Sequence, residues 1–227
     1  EGYPVHVTGR STGMPLPELA ARCRVVIVSV PIAATIEAIR RVGPHLPEES
    51  LLMDFTSLKE EPVREMLKAT AAEVVGCHPL FGPDCPSLAG QNVILCPGRG
   101  ERWLKRMEGL LTKGGARVTV TTPAEHDRMM SLVQGLTHME TVLMGLTLRD
   151  AGVEASALDP FSTPVFRTKQ AIVERVFDAR PELYAGFIAG NDNMPNILEI
   201  YEKNLSALKR LILAGDAAGI TALIRKP

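Results

Sequence analysis

The chain has 227 residues, 45% hydrophobic and 22% charged, with 25 Lys+Arg against 26 Asp+Glu, a formal net charge of −1 and a mean hydropathy of +0.08. This composition excludes a disordered, collagen-like or supercharged chain, and the even charge balance gives no electrostatic basis for binding nucleic acid or an anionic membrane. The length suits one large domain or two modest ones. The longest apolar run, 25–36, is broken by Ser29, Pro31 and Thr35 and falls short of the ~18 residues a membrane helix needs. Cys23, Cys77, Cys85 and Cys96 are too scattered for a disulfide framework and lack a C-x-x-C pair, so a reducing cytoplasm and no metal site are expected.

In chain order, the first half alternates two periodicities. Short β-branched runs at 5–8, 25–30, 51–54, 73–76, 92–96 and 117–121 read as strands. Helix-like stretches lie between them at 33–42, 61–70 and 101–113. The run at 25–30 is almost continuously apolar, as a parallel strand covered on both faces should be. This alternation predicts an α/β fold, a Rossmann-type doubly wound parallel sheet over 1–121. After 121 the strand pattern stops. Thr122-Pro123-Ala124-Glu125 reads as an N-cap, a first-turn proline and a capping-box glutamate opening a long helix. Further helices are predicted at 165–178, 181–190 and 194–214, so 122–227 reads as an all-α domain. In the last helix Leu198, Tyr201, Leu205, Leu208 and Ile212 form a seam suited to packing on another helix.

Four stretches carry residues with chemical potential. His78, in Gly76-Cys77-His78-Pro79, follows a strand and precedes a proline that biases it to extended backbone. Ligands of open α/β sheets sit at that carboxyl edge, and a histidine there can act as a general base. The bland alternative is a loop histidine with no chemistry. Ser57 and Lys59, after the strand at 51–54, face the same edge; they suit a substrate hydroxyl and a carboxylate, or else a helix cap and a solvated charge. His126 and Asp127 sit in the first turns of a helix, where the dipole disfavours an imidazolium and attracts anions; Asp127 can also orient a histidine. Arg167, among apolar neighbours early in another helix, is expected to be partly buried and to want an anionic partner. The methionines at 129, 130, 139 and 144 read as helix packing.

Taken together, "VVIVSVPI", "DFTSLK", "GCHPLFGPD", "CPGR", "AEHDRMM", "LTHM" and "STPVFR" run in one order over nearly the whole chain. In that order they resemble the prephenate dehydrogenase family of tyrosine biosynthesis, and the branch fused to chorismate mutase in some bacteria most of all. The resemblance implies oxidative decarboxylation of prephenate to 4-hydroxyphenylpyruvate with hydride transfer to NAD or NADP. It implies that His78 is the catalytic histidine on the ring hydroxyl, with Ser57 positioning that hydroxyl. Arg167 resembles the arginine on a prephenate carboxylate, His126 a histidine near substrate and nicotinamide, and Lys59 a lysine behind the site or beside a carboxylate. Val30 and Pro31 match the loop that passes along the cofactor. A homodimer formed through the helical domain is expected.

The family's G-x-G-x-x-G loop does not occur here, and 2–7 resembles the second strand of a Rossmann unit. The expectation is that about thirty residues, the first βα unit, precede Glu1 in a longer protein. Thr8-Gly9-Arg10-Ser11 offers no acid for a ribose 2′-hydroxyl, and Arg10 and Ser11 suit a 2′-phosphate, which leans the cofactor toward NADP. The alternatives are an arogenate dehydrogenase, which differs in a substrate amine; a β-hydroxy acid dehydrogenase using Lys169; and a non-catalytic homologue that senses tyrosine.

Overall fold

The computed structural model describes residues 3–9, 14–82, 84–179 and 181–225. A short helix α1 (Leu16–Arg22) precedes β1 (Val25–Val28), α2 (Ile32–Val42), β2 (Leu51–Asp54), α3 (Glu60–Ala69), β3 (Glu73–Pro79), β4 (Asn92–Arg99), α4 (Arg102–Lys113) and β5 (Arg117–Val120). The strands form one five-stranded sheet in the order β1-β2-β3-β4-β5. Pairs β1–β2, β2–β3 and β4–β5 are parallel and joined through helices, as the alternation predicts. The pair β3–β4 is antiparallel, so the sheet is mixed rather than wholly parallel. The cause lies in the link: 80–91 holds no helix among its described residues, and without a crossover the chain returns beside the strand it left.

The predicted strand at 5–8 does not form. Residues 3–9 carry no regular structure, and Val5 and Val7 are each 80% exposed. A strand needs a neighbouring ladder to satisfy its N–H and C=O groups, and none of the described strands pairs with this segment. Among the described residues β1 is therefore an edge of the sheet. The cofactor candidates Arg10 and Ser11 lie outside the described residues.

Side-chain alternation divides the sheet's two faces. Leu51, Met53, Val75, Cys77, Val93 and Leu95 pack against Trp103 and the rest of α4. Val26, Val28, Leu52 and Val74 face the other way, onto Ile39, Val42, Val63 and Met66 of α2 and α3. Each fully buried aliphatic side chain contributes about 1.5–3 kcal/mol. Gly76 and His78 share the α3 face with Val74 by the same period of two. A Cβ on Gly76 would lie 2.7 Å from Val63 Cγ2 and 3.0 Å from Lys59 Cδ, so only glycine lets α3 approach β3 this closely.

Beyond β5 the chain is helical. α5 (Pro123–Met130) runs through a π-helical turn (Ser131–Leu136) into α6 (Thr137–Asp150). There follow α7 (Ala155–Leu158), α8 (Pro164–Glu174), α9 (Pro181–Gly190), α10 (Met194–Leu213) and α11 (Ala217–Arg225). The N-cap is as read from the sequence: Thr122 accepts the Glu125 N–H at 3.2 Å. The return half of the capping box is absent, because the Glu125 carboxylate is held by Arg128 at 2.8 Å on both oxygens. Met139 and Met194 pack with Ile197 in a small helical core. The seam on α10 is open in this chain: Leu198, Leu205 and Ile212 are 43%, 52% and 58% exposed. None of the described helices is long and apolar enough to cross a membrane.

Candidate active site

The carboxyl ends of β2 and β3 meet the start of α5 and the body of α9. His78, next to last in β3, is 3% exposed and projects from the α3 face of the sheet. His126, in the first turns of α5, is 1% exposed, and its Nε2 lies 2.9 Å from His78 Nδ1. His126 Nδ1 lies 2.6 Å from Asp127 Oδ1. The same carboxylate accepts the backbone N–H of Lys59 at 2.8 Å and of Glu60 at 2.9 Å, capping α3 from another part of the chain. Asn191, between α9 and α10, donates to the Asp127 carbonyl at 2.8 Å. The sheet, α3, α5 and the α9–α10 corner are thus tied at one buried point.

A cleft of about 310 Å³ opens in front of His78. Ser57 and the Pro79–Gly82 turn form its floor, and Gln134, His138, Leu183, Tyr184 and Phe187 its helical wall. The π-helical turn matters here, since an extra residue in a helix re-aims the side chains that follow. His138 meets Tyr184 edge-on, ring centroids 4.8 Å apart. Gln134 Oε1 is buried without a hydrogen-bond partner, an acceptor left for whatever fills the cleft. A second, more apolar hollow of about 470 Å³ adjoins the first. It shares Pro79, Phe81 and Gly82 and reaches Ser29 and Phe55 at the ends of β1 and β2. Val30, 38% exposed, and Pro31, also exposed, follow Ser29 at that edge.

Two expected ligand residues stand elsewhere. Lys59 does not offer its ammonium to the cleft: its side chain is 0% exposed and ion-paired with Asp54, also 0% exposed. Its Nζ donates to the Cys77 carbonyl at 3.0 Å as well. A charge buried between sheet and helix needs a counter-charge, and Asp54 at the end of β2 supplies it. Arg167 is not partly buried. Its side chain is 60% exposed and paired with Asp159 Oδ1 at 3.1 Å, and it takes no part in lining the cleft. The apolar neighbours that implied burial, Phe161 and Val165, are themselves 85% and 68% exposed. Ser57 and His78 do share the cleft, and His126 reaches it through His78.

Sequence reading leaves Gln134, Tyr184 and Phe187 unassigned, and gives His138 of the "LTHM" motif no role. A π-helical turn has no sequence signature of its own, and α9 reads only as a helix.

Burial holds His78 neutral, lowering its pKa from 6.5 to about 2, with the nearby Lys59 ammonium acting the same way. Burial alone pushes His138 down too. Below the ordinary imidazole range the unfolded chain therefore binds protons that the folded chain refuses, and stability falls with pH. The thermal midpoint is expected to drop between about pH 7 and pH 4.5, and more gently in His78→Asn. Melting curves across that range check it; an equal slope in the variant would contradict it.

The family description "Prephenate dehydrogenase, nucleotide-binding domain" matches residues 13–120, and "Prephenate dehydrogenase, dimerization domain" matches 122–226. A Haemophilus influenzae relative named T-protein is 37% identical, covering 99% of this chain and 60% of its own. A Methanocaldococcus jannaschii relative named probable arogenate/prephenate dehydrogenase is 34% identical over 92% of this chain and 48% of its own. The chain thus spans about half to three-fifths of the length of these relatives. Its fold is similar to a crystal structure of Aquifex aeolicus prephenate dehydrogenase in complex with hydroxyphenyl propionate and NAD+, with TM-score 0.71 and 22% identity. That likeness covers 93% of this chain and 77% of the other. The chain belongs to the prephenate dehydrogenase family.

Proposed function

Starting from that membership, we propose that this chain carries the catalytic cleft of a nicotinamide-dependent dehydrogenase that converts prephenate to 4-hydroxyphenylpyruvate and CO₂ in tyrosine biosynthesis. The observation that carries the reading is the placement of His78: buried, with one ring nitrogen on His126 and the other left for the cleft that Ser57 also lines. The neutral ring is the form that can take up a proton.

The apolar hollow beside the cleft fits a flat aromatic amide; Ser29 and Phe55 line it and would hold a nicotinamide there, with Val30 and Pro31 next in the chain after Ser29. When bound, that group supplies the acceptor for hydride. His78 takes the hydroxyl proton as the hydrogen on the same carbon leaves with its electron pair. Ser57 hydrogen-bonds the hydroxyl oxygen and keeps it in line with His78. The resulting dienone draws in the electrons of the ring carboxylate's C–C bond, CO₂ departs, and the phenolate recovers its proton from His78. No net proton is released, so His78 ends each cycle as it began. Lys59 serves this chemistry from behind, as a buried cation that holds the Cys77 carbonyl next to His78.

The arogenate reading is favoured by one feature, the unpartnered Gln134 Oε1, an acceptor suited to an ammonium group. Its ring chemistry is the same. For the cofactor, Arg10 and Ser11 support NADP over NAD, and the four cysteines, all free thiols, suit a reducing cytoplasm. A second copy is proposed to cover the open α10 seam, giving a homodimer through the helical domain.

Three measurements test these proposals on the full-length protein. His78→Asn is expected to lower kcat with prephenate and NAD(P)+ by roughly 10²–10⁴ while leaving cofactor KM nearly unchanged; unaltered turnover would remove His78 from the chemistry. The KM for NADP should lie below that for NAD, and the reverse order would reject the 2′-phosphate reading. Sedimentation should show a dimer that Leu205→Glu converts to monomer; a monomeric parent protein would sink the interface.

A further inference from the structure

The hydrogen bonds behind the cleft do more than support it. Resting on the reading of His78 as the proton acceptor, we propose that Asp127, acting through His126, sets the tautomer of His78. In that state His78 carries its proton on Nδ1 and presents the lone pair of Nε2 to the cleft. Asp127 is a positioning residue in this scheme, since the carboxylate touches neither the cleft nor the reacting atoms.

Donors and acceptors fix the direction one bond at a time. The Asp127 carboxylate is turned into place by two backbone N–H groups, from Lys59 on Oδ1 and Glu60 on Oδ2. A carboxylate so bound has only acceptors to offer, so the His126 Nδ1 that lies 2.6 Å from Oδ1 must bring a hydrogen. His126 is 1% exposed and stands in the first turns of α5. In the proposed state His126 carries only that hydrogen and keeps a lone pair on Nε2. That lone pair faces His78 Nδ1 at 2.9 Å, and the contact is a hydrogen bond only if His78 is the donor. His78 then has one nitrogen left, Nε2, and it is unprotonated. Free imidazole side chains do not need such an arrangement. Here the direction of the whole relay is decided at one oxygen, by a carboxylate that also caps α3.

The consequence is specific. With the relay reversed, His78 would hold a hydrogen toward the substrate hydroxyl and could not accept its proton. The carboxylate is thus placed to act on rate rather than on binding.

The test is imidazole ¹⁵N spectroscopy of the uniformly labelled full-length protein at neutral pH, which distinguishes protonated from unprotonated nitrogen in each ring. Both His78 and His126 are expected as the Nδ1–H tautomer. Finding His78 protonated on Nε2 overturns the proposal, whether or not the protein oxidises prephenate. In Asp127→Ala no acceptor stands opposite His126 Nδ1, so nothing holds that hydrogen there. That variant is expected to populate His78 Nε2–H and to lose roughly 10²–10⁴ in kcat, with KM for prephenate changed far less. An Asp127→Ala protein that folds and keeps His78 on Nδ1–H overturns it equally. Should that variant not fold, His126→Gln supplies a side-chain carbonyl in place of the ring acceptor. Its His78 should stay Nδ1–H, whereas His126→Phe should release it; identical spectra in the two overturn the assignment. Complete absence of turnover in the parent protein, with the expected tautomers present, would fail the functional reading alone.

Discussion

One carboxylate holds the molecule's working parts in register. Asp127 comes from the first turns after the sheet domain ends, yet it caps the helix that follows β2 and receives the histidine beside it. Its own carbonyl is bound by Asn191, more than sixty residues further on. Those contacts join the sheet, α3, α5 and the α9–α10 corner without an extensive interface. At 5% exposure the group works in surroundings where hydrogen bonds are strong and a missing partner is costly. The position of His78 relative to the helical wall depends on it.

A second buried pair completes the platform from the other side. Lys59 and Asp54 are both wholly buried between β2, β3 and α3, with Thr56 hydrogen-bonded into the same group. Burying two opposite charges is close to neutral in energy, but removing either one leaves an isolated charge, at a cost of about 3–5 kcal/mol. Such a pair locks geometry more than it adds stability. Gly76 belongs to the arrangement, since a side chain there would displace the Lys59 stem. The result is a rigid floor under His78, against which only the helical wall offers alternatives.

That wall is built from two separate helical segments. Gln134 and His138 stand on or just after a π-helical turn, and Tyr184 and Phe187 come from α9. Among the described residues none of the cleft's lining side chains is a lysine or arginine. Within this one chain, then, the cleft offers apolar and hydrogen-bonding surroundings without a cation. The open α10 seam lies on the same helical half, which matches the family's dimerization domain.

Much of this was legible in the residues. The alternation of β-branched runs with helical stretches located β1 through β5 and α2 through α4, because period-two and period-3.6 patterns are imposed by local geometry. Thr122 declared the start of α5, and His78 and Ser57 stood at strand ends where open sheets bind ligands. What required the tertiary structure was every property that depends on a distant partner. The strand read at 5–8 pairs with none of the described strands, and β4 runs antiparallel because the described residues of its connection hold no helix. Lys59 and Arg167 look alike in sequence as cations near motifs. One is buried on Asp54 and the other is exposed on Asp159, since a side chain's charge says nothing about which counter-charge the fold will bring to it. The sequence by itself determined the order of elements and the histidine; the fold decided which nitrogen that histidine turns to the cleft, because hydrogen-bond direction is set by groups 48 residues away and more.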